Sequence, residues 1–146
     1  MSSQTIGIIV GGLVPAVMYG GANLSAKIVA QMGVGVGWYI IFAGLGVCAI
    51  GALLFLLIPE HSISLKTAAF SSAVGFGWGL GTGCVVIALT RYGTPLSVLT
   101  PIFNMNTLIT VLLALWLFSE WKQVQSAQLL LGTLLIVIGS VLVARA

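Results

Sequence analysis

Apolar residues run along this chain in five long blocks, broken by short polar or charged interruptions. The blocks fall at about 5–26, 37–58, 67–90, 95–118 and 125–144. Each is close to the length of about 20 residues that a helix needs to cross the hydrocarbon of a bilayer. None alternates polar and apolar residues over ten-residue segments as barrel strands do. The pattern predicts an all-α integral membrane protein: one membrane domain over 1–146, with five transmembrane helices. Trp38, Tyr39, Tyr92, Trp116 and Trp121 fall near predicted span ends, where aromatic belts form. The connections are too short to hold a soluble domain.

Four of the blocks carry an internal pattern of their own. In the first, Pro15, Tyr19, Asn23 and Lys27 recur every four residues and so share one slowly drifting helix face. Lys27 has two readings: a lysine snorkelling to the membrane surface, or a cation facing a cavity and meeting an anionic or polar solute. The third block has glycine at every second position, Gly75, Gly77, Gly79, Gly81 and Gly83. Gly75, Gly79 and Gly83 line one face of a helix and Gly77 and Gly81 nearly the opposite one, each at the spacing that permits close helix packing. In the fourth, Ser97, Thr100, Asn104 and Thr107 fall within about 80° of one another on a helix. They form one polar stripe, which in hydrocarbon requires a neighbouring helix or a water-filled cavity. Pro95 suits the first turn of that helix, while Pro101 lies deeper and should loosen it near Ser97. Asn106 points away from the stripe, toward a helix–helix hydrogen bond. In the fifth, Gly132 and Gly139, seven apart, mark one packing face.

Composition narrows the functional classes. Hydrophobic residues make up 60% of the chain and charged ones 5%, with a mean hydropathy of +1.22; soluble domains average about 25% charged residues. The net charge of +3 is dispersed, without the basic cluster that nucleic acid or a polybasic lipid site would call for. Cys48 and Cys84 lie in separate apolar blocks and read as small apolar filler. The glycines follow no strand and lack a Walker lysine, so no nucleotide fingerprint is present. His61 beside Glu60 reads as a solvated pair in a loop. No Ser/His/Asp set, metal-ligand cluster or paired carboxylate lies at membrane depth, so neither an enzyme, a cofactor nor a metal is expected. Met1 to Thr5 lack a basic n-region, so the first block is expected to be retained.

With five spans, Lys66, Lys122 and the terminal amine share one side of the membrane, and Lys27, Arg91 and Arg145 the other. Three positive groups on each side leave the positive-inside rule nothing to act on. The chain is therefore expected to insert both ways up and pair with an inverted copy, or to be held by an inverted partner chain. Placing Lys27 inside the bundle would instead tilt the balance toward a cytoplasmic N-terminus.

From Ala88-Leu89-Thr90-Arg91-Tyr92-Gly93-Thr94-Pro95-Leu96-Ser97-Val98-Leu99-Thr100-Pro101-Ile102 onward, the chain resembles the EamA-type repeat of the drug/metabolite transporter superfamily. These residues look like that family's turn from third to fourth helix. Leu117-Phe118-Ser119-Glu120 looks like its helix-ending motif of a small residue followed by Glu, which makes Glu120 a structural residue. Gly132 and Gly139 resemble the glycine spacing of its last helix. Gly21-Ala22-Asn23 with Lys27 is similar to its Gly-x-Asn followed four residues later by Lys. The departures are Gly20 where the family has an aromatic residue, Gln128 four rather than three residues before Gly132, a bulky charge at Arg91, and a single repeat rather than two. The resemblance implies a half-transporter of the inner bacterial membrane that pairs as an antiparallel homodimer or heterodimer. In size it is similar to the small multidrug exporters and the aminoarabinose-lipid flippase subunits. The multidrug exporters use a glutamate in their first helix, and no acid occurs here between Met1 and Pro59. A neutral or anionic solute is expected, contacted by Tyr19, Asn23, Lys27, Ser97, Thr100 and Asn104. The alternative is a non-transporting or flippase-like subunit of a larger complex. Membrane lipid is the other expected partner.

Overall fold

The computed structural model describes residues 3–59, 62–122 and 124–145. Every regular element among them is helical. Five helical stretches are long and apolar enough to cross a membrane: Thr5–Gln31, Val36–Leu57, Leu65–Arg91, Leu96–Leu117 and Ser126–Ala144. The protein is a multi-pass membrane protein. The turn residues Glu60 and His61 lie outside the described residues.

The chain divides into two compact units, Met1–Gly93 and Thr94–Ala146. The first begins with α1 (Ser3–Ile8), which runs through a π-helical turn at Ile9–Leu13 into α2 (Val14–Gln31). Pro15, in the first turn of α2, has no N–H to give to the carbonyl one turn back. The backbone adjusts by widening: the Val14 N–H donates to the Ile9 carbonyl, five residues away. Gly33, at φ 77°, turns the chain toward α3 (Val36–Leu57). This left-handed geometry strongly favours a residue without Cβ.

The helix α4 (Leu65–Arg91) starts two residues before the apolar block does, because its first turn is capped. The Ser64 hydroxyl accepts from the Thr67 N–H at 3.1 Å, and the Thr67 hydroxyl oxygen accepts from the Ser64 N–H at 2.9 Å. That reciprocal box satisfies two otherwise orphaned donors. Within the unit α4 packs against both α2 and α3. Its buried side chains are Val86, with no exposed surface, and Leu89; Ala26 is the buried residue of α2.

The second unit holds α5 (Leu96–Phe103), α6 (Asn106–Leu117), a 3-10 turn at Glu120–Lys122 and α7 (Ser126–Ala144). The continuous helix expected over 95–118 is thus two half-helices. Pro95 is the N-cap of α5, and its carbonyl accepts from the Val98 and Leu99 N–H groups, both at 3.1 Å. Pro101 lies within α5; the Asn104 N–H still reaches the Thr100 carbonyl at 3.1 Å, and the ladder gives way at the Met105 N–H, which reaches the Ile102 carbonyl at 3.1 Å. Below α6, Phe118 is the C-cap and Ser119 takes a left-handed φ of 54°. Ser119 carries a Cβ into this left-handed turn, at a steric cost of about 1 kcal/mol. Glu120 therefore opens the 3-10 turn instead of closing a helix. Both α5 and α6 pack against α7, whose buried residues are Thr133 and Ser140.

Candidate functional site

The polar residues singled out by spacing divide between the two units. Tyr19, Asn23 and Lys27 stand on α2; Ser97 and Thr100 stand on α5, and Asn104 in the break after it. On α2, Tyr19 is exposed, while Asn23 and Lys27 are half-buried beside the buried Ala26. The helix continues to Gln31, so Lys27 sits one turn inside its end, where the apolar block had placed it just beyond. On α5, Ser97 is exposed and Thr100 half-buried; Asn104 is exposed. Because Asn104 lies at the break, the stripe through Thr107 is not carried by one unbroken helix.

On the membrane helices the hydroxyls of Ser71, Ser72, Thr82, Ser97, Thr107 and Thr110 have no hydrogen-bond partner among the described residues. Others bend back onto their own backbone. Thr100 donates to the Leu96 carbonyl at 2.8 Å, Thr90 to Val86 at 2.8 Å, Thr133 to Leu129 at 2.8 Å and Ser140 to Ile136 at 2.8 Å. Ser25 does the same to Gly21 at 3.0 Å. Each such proton is satisfied one turn away, which removes most of the penalty of placing a hydroxyl in hydrocarbon. The asparagine amides make no such back-bond. Among the described residues, the side chains of Asn23, Asn104 and Asn106 have no hydrogen-bond partner. Each amide brings two donors and an acceptor. The helix–helix bond expected of Asn106 is absent within the described residues, since that residue sits exposed at the start of α6.

The break concentrates this polarity. Asn104 and Met105 hold ψ near −9° and −13°, well away from the α-helical value. The Asn104 carbonyl accepts from Thr107, and the Met105 carbonyl from Leu108, both at 3.0 Å and three residues on. One turn earlier, Pro101 cannot donate to the Ser97 carbonyl. The Ser97 hydroxyl and the Asn104 amide thus flank a proline-loosened turn, each without a partner among the described residues.

The glycines occupy two different situations. A Cβ at Gly79 or Gly83 would meet the Ile40 side chain of α3 at 3.9 or 4.0 Å, while Gly75, Gly77 and Gly81 have nothing within 4 Å. Gly132 and Gly139 likewise face open space. The buried face of α7 is carried by the next residue in each case, Thr133 and Ser140, at 3% and 4% exposure. Spacing did not single these two out, although their seven-residue interval is the same. Comparison with protein-family models, with curated proteins and with solved structures finds no match for this chain.

Proposed function

We propose that this protein is a transporter of a small polar solute, acting as one half of an antiparallel dimer in the inner membrane of a bacterium. The observation that carries the reading is the set of unpartnered asparagine amides in the membrane-spanning stretches, with the hydroxyls of Ser97 and Thr107 likewise unpartnered in the fourth. An amide in hydrocarbon without a partner costs several kcal/mol on the harshest scale, so Asn23 and Asn104 call for water, solute or another chain. Two irregular helices accompany them, one π-widened and one broken, and such helices recur where transporters hold their substrates. Lys27 adds a cation to the polar face of α2. The two acids of the chain, Glu60 and Glu120, lie outside the spans. A neutral or anionic solute fits that balance better than a cationic drug. The resemblance to the EamA-type repeat supports the same reading, as does the even distribution of positive charge.

Uptake into proteoliposomes of a panel of neutral and anionic metabolites tests the function. The expected result is uptake that Asn104→Ala and Lys27→Met each reduce at least tenfold, with thermal unfolding unchanged. If no solute moves, or both variants transport normally, the proposal fails. A second reading is a non-transporting subunit of a larger assembly, favoured by the open positions at Gly75, Gly77, Gly81, Gly132 and Gly139. Native purification separates the two: a bare dimer agrees with the transporter, and a stoichiometric larger complex with the subunit.

A further inference from the structure

Asn106 stands at the middle of the fourth span, Leu96–Leu117, on the first turn of α6. That helix packs against α7, and its buried residue is Leu115. At about 100° per residue, Asn106 lies half a turn around from Leu115, with Thr110, Leu113 and Leu117 within about 40° of it. All four are exposed. Neither the Asn106 amide nor the Thr110 hydroxyl has a hydrogen-bond partner among the described residues. The face of α6 opposite its buried residue thus holds an unsatisfied amide at the depth where a bilayer supplies no water. Lipid tails offer it nothing, but a second amide does. Each brings two donors and an acceptor, so two copies can bond reciprocally across a two-fold axis.

Charge sets the direction of pairing. Glu120 follows Asn106 by 14 residues and Arg91 precedes it by 15, so the two flank the span on opposite sides of the membrane. Neither has an ion-pair partner among the described residues. Parallel copies meeting at Asn106 would set Glu120 against Glu120 and Arg91 against Arg91. Antiparallel copies set each Glu120 at the level of the other chain's Arg91. We propose that the face Asn106, Thr110, Leu113 and Leu117 binds a second, inverted copy of this chain, with Asn106 bonded to Asn106 at the crossing and Glu120 facing Arg91 at both ends. This pairing rests on the antiparallel dimer proposed above and gives it an interface; it does not require that a solute move.

Purified chain in mixed micelles, where the direction of insertion plays no part, tests it, with Cys48 and Cys84 first replaced by alanine. Energy transfer between donor- and acceptor-labelled Ser62→Cys chains measures self-association. Asn106→Leu should weaken it at least tenfold, while Asn106→Gln, which keeps the amide, weakens it less than threefold; helical circular dichroism stays the same in both. Glu120→Arg should also weaken it, and adding Arg91→Glu should restore it. In a mixture of Ile102→Cys and Thr110→Cys chains distinguished by a size tag, the mixed disulfide should exceed either chain paired with itself. A monomeric parent overturns the interface, as does association that Asn106→Leu leaves unchanged. Preferential Thr110→Cys pairing with itself, or a charge reversal that restores nothing, overturns the antiparallel direction. A chain that shows the expected pattern yet carries no solute keeps the interface and removes the transport reading.

Discussion

Val86 is the position at which the packing of the first unit can be tested most sharply. It has no exposed surface and sits on α4, the helix that contacts both α2 and α3. Val86→Ala deletes two carbon atoms. In a water-soluble core their transfer alone would be worth about 0.8 kcal/mol each. Within a bilayer that contribution drops out, because lipid tails are as apolar as the side chain they would replace. What remains is the cavity. Two carbons occupy roughly 50 Å³, and at about 24 cal/mol per Å³ the loss is about 1.2 kcal/mol, less whatever the helices recover by closing in. A loss of about 1 kcal/mol lowers the folded-to-unfolded ratio about fivefold. Val74→Ala is the matched control: same substitution, same helix, 73% exposed. It leaves no cavity and should stay within about 0.5 kcal/mol of the parent. The small gain in helix propensity is common to both and cancels. The opposite perturbation, Val86→Ile, should also destabilise, by about 1–3 kcal/mol, since an enclosed site has no room for another carbon. Reversible unfolding in mixed micelles, followed by helical circular dichroism, measures all three. Equal shifts for the two alanine variants, or a stabilised Val86→Ile, would refute the argument.

Three further outcomes are expected. Ser119 holds a left-handed backbone after α6, so Ser119→Gly should raise stability by about 1 kcal/mol while Ser119→Ile lowers it by a similar amount or more, read in the same unfolding assay. Ser140→Leu overpacks the buried face of α7 and should lower stability by about 1–3 kcal/mol. Gly139→Ala, one residue away in open space, should leave the isolated chain as stable as before; a loss of self-association in a detergent cross-linking series would instead show that this glycine meets a second chain.

The spans were legible because each apolar block is long and nearly free of charge, and hydropathy senses that directly. Their ends were less so. Lys66 marked the apolar limit of the third block, yet the helix begins at Leu65, because Ser64 and Thr67 cap each other. The first block stopped short of Lys27, but the helix runs four residues beyond it, until the Met32–Gly33 turn. Packing faces were harder still. Glycine spacing shows where a backbone could be approached closely, not what approaches it. On α7 the buried residues stand about 100° around from the glycines, a rotation fixed only by contact with α5 and α6. Serine and threonine could take that buried face because their protons turn back onto the helix, a rotamer choice invisible in composition. The same choice separates Thr100, satisfied at Leu96, from the amide of Asn104, which has no partner among the described residues. Pro101 announced a weakness in the fourth span; that it surfaces at Asn104–Met105 depended on how the backbone shares the strain.

The self-satisfied hydroxyls have a consequence for how the chain is made. A helix that meets its own polar demands can leave the translocation channel for lipid by itself, without waiting for a neighbour. The second span, Val36–Leu57, with no serine, threonine or amide side chain, belongs to that kind, and so does the fifth from Thr133 onward. The first and fourth spans, with Asn23 and with Asn104 and Asn106, carry amides that lipid does not satisfy. During synthesis these two are expected to linger beside the channel until a partner for their amides arrives.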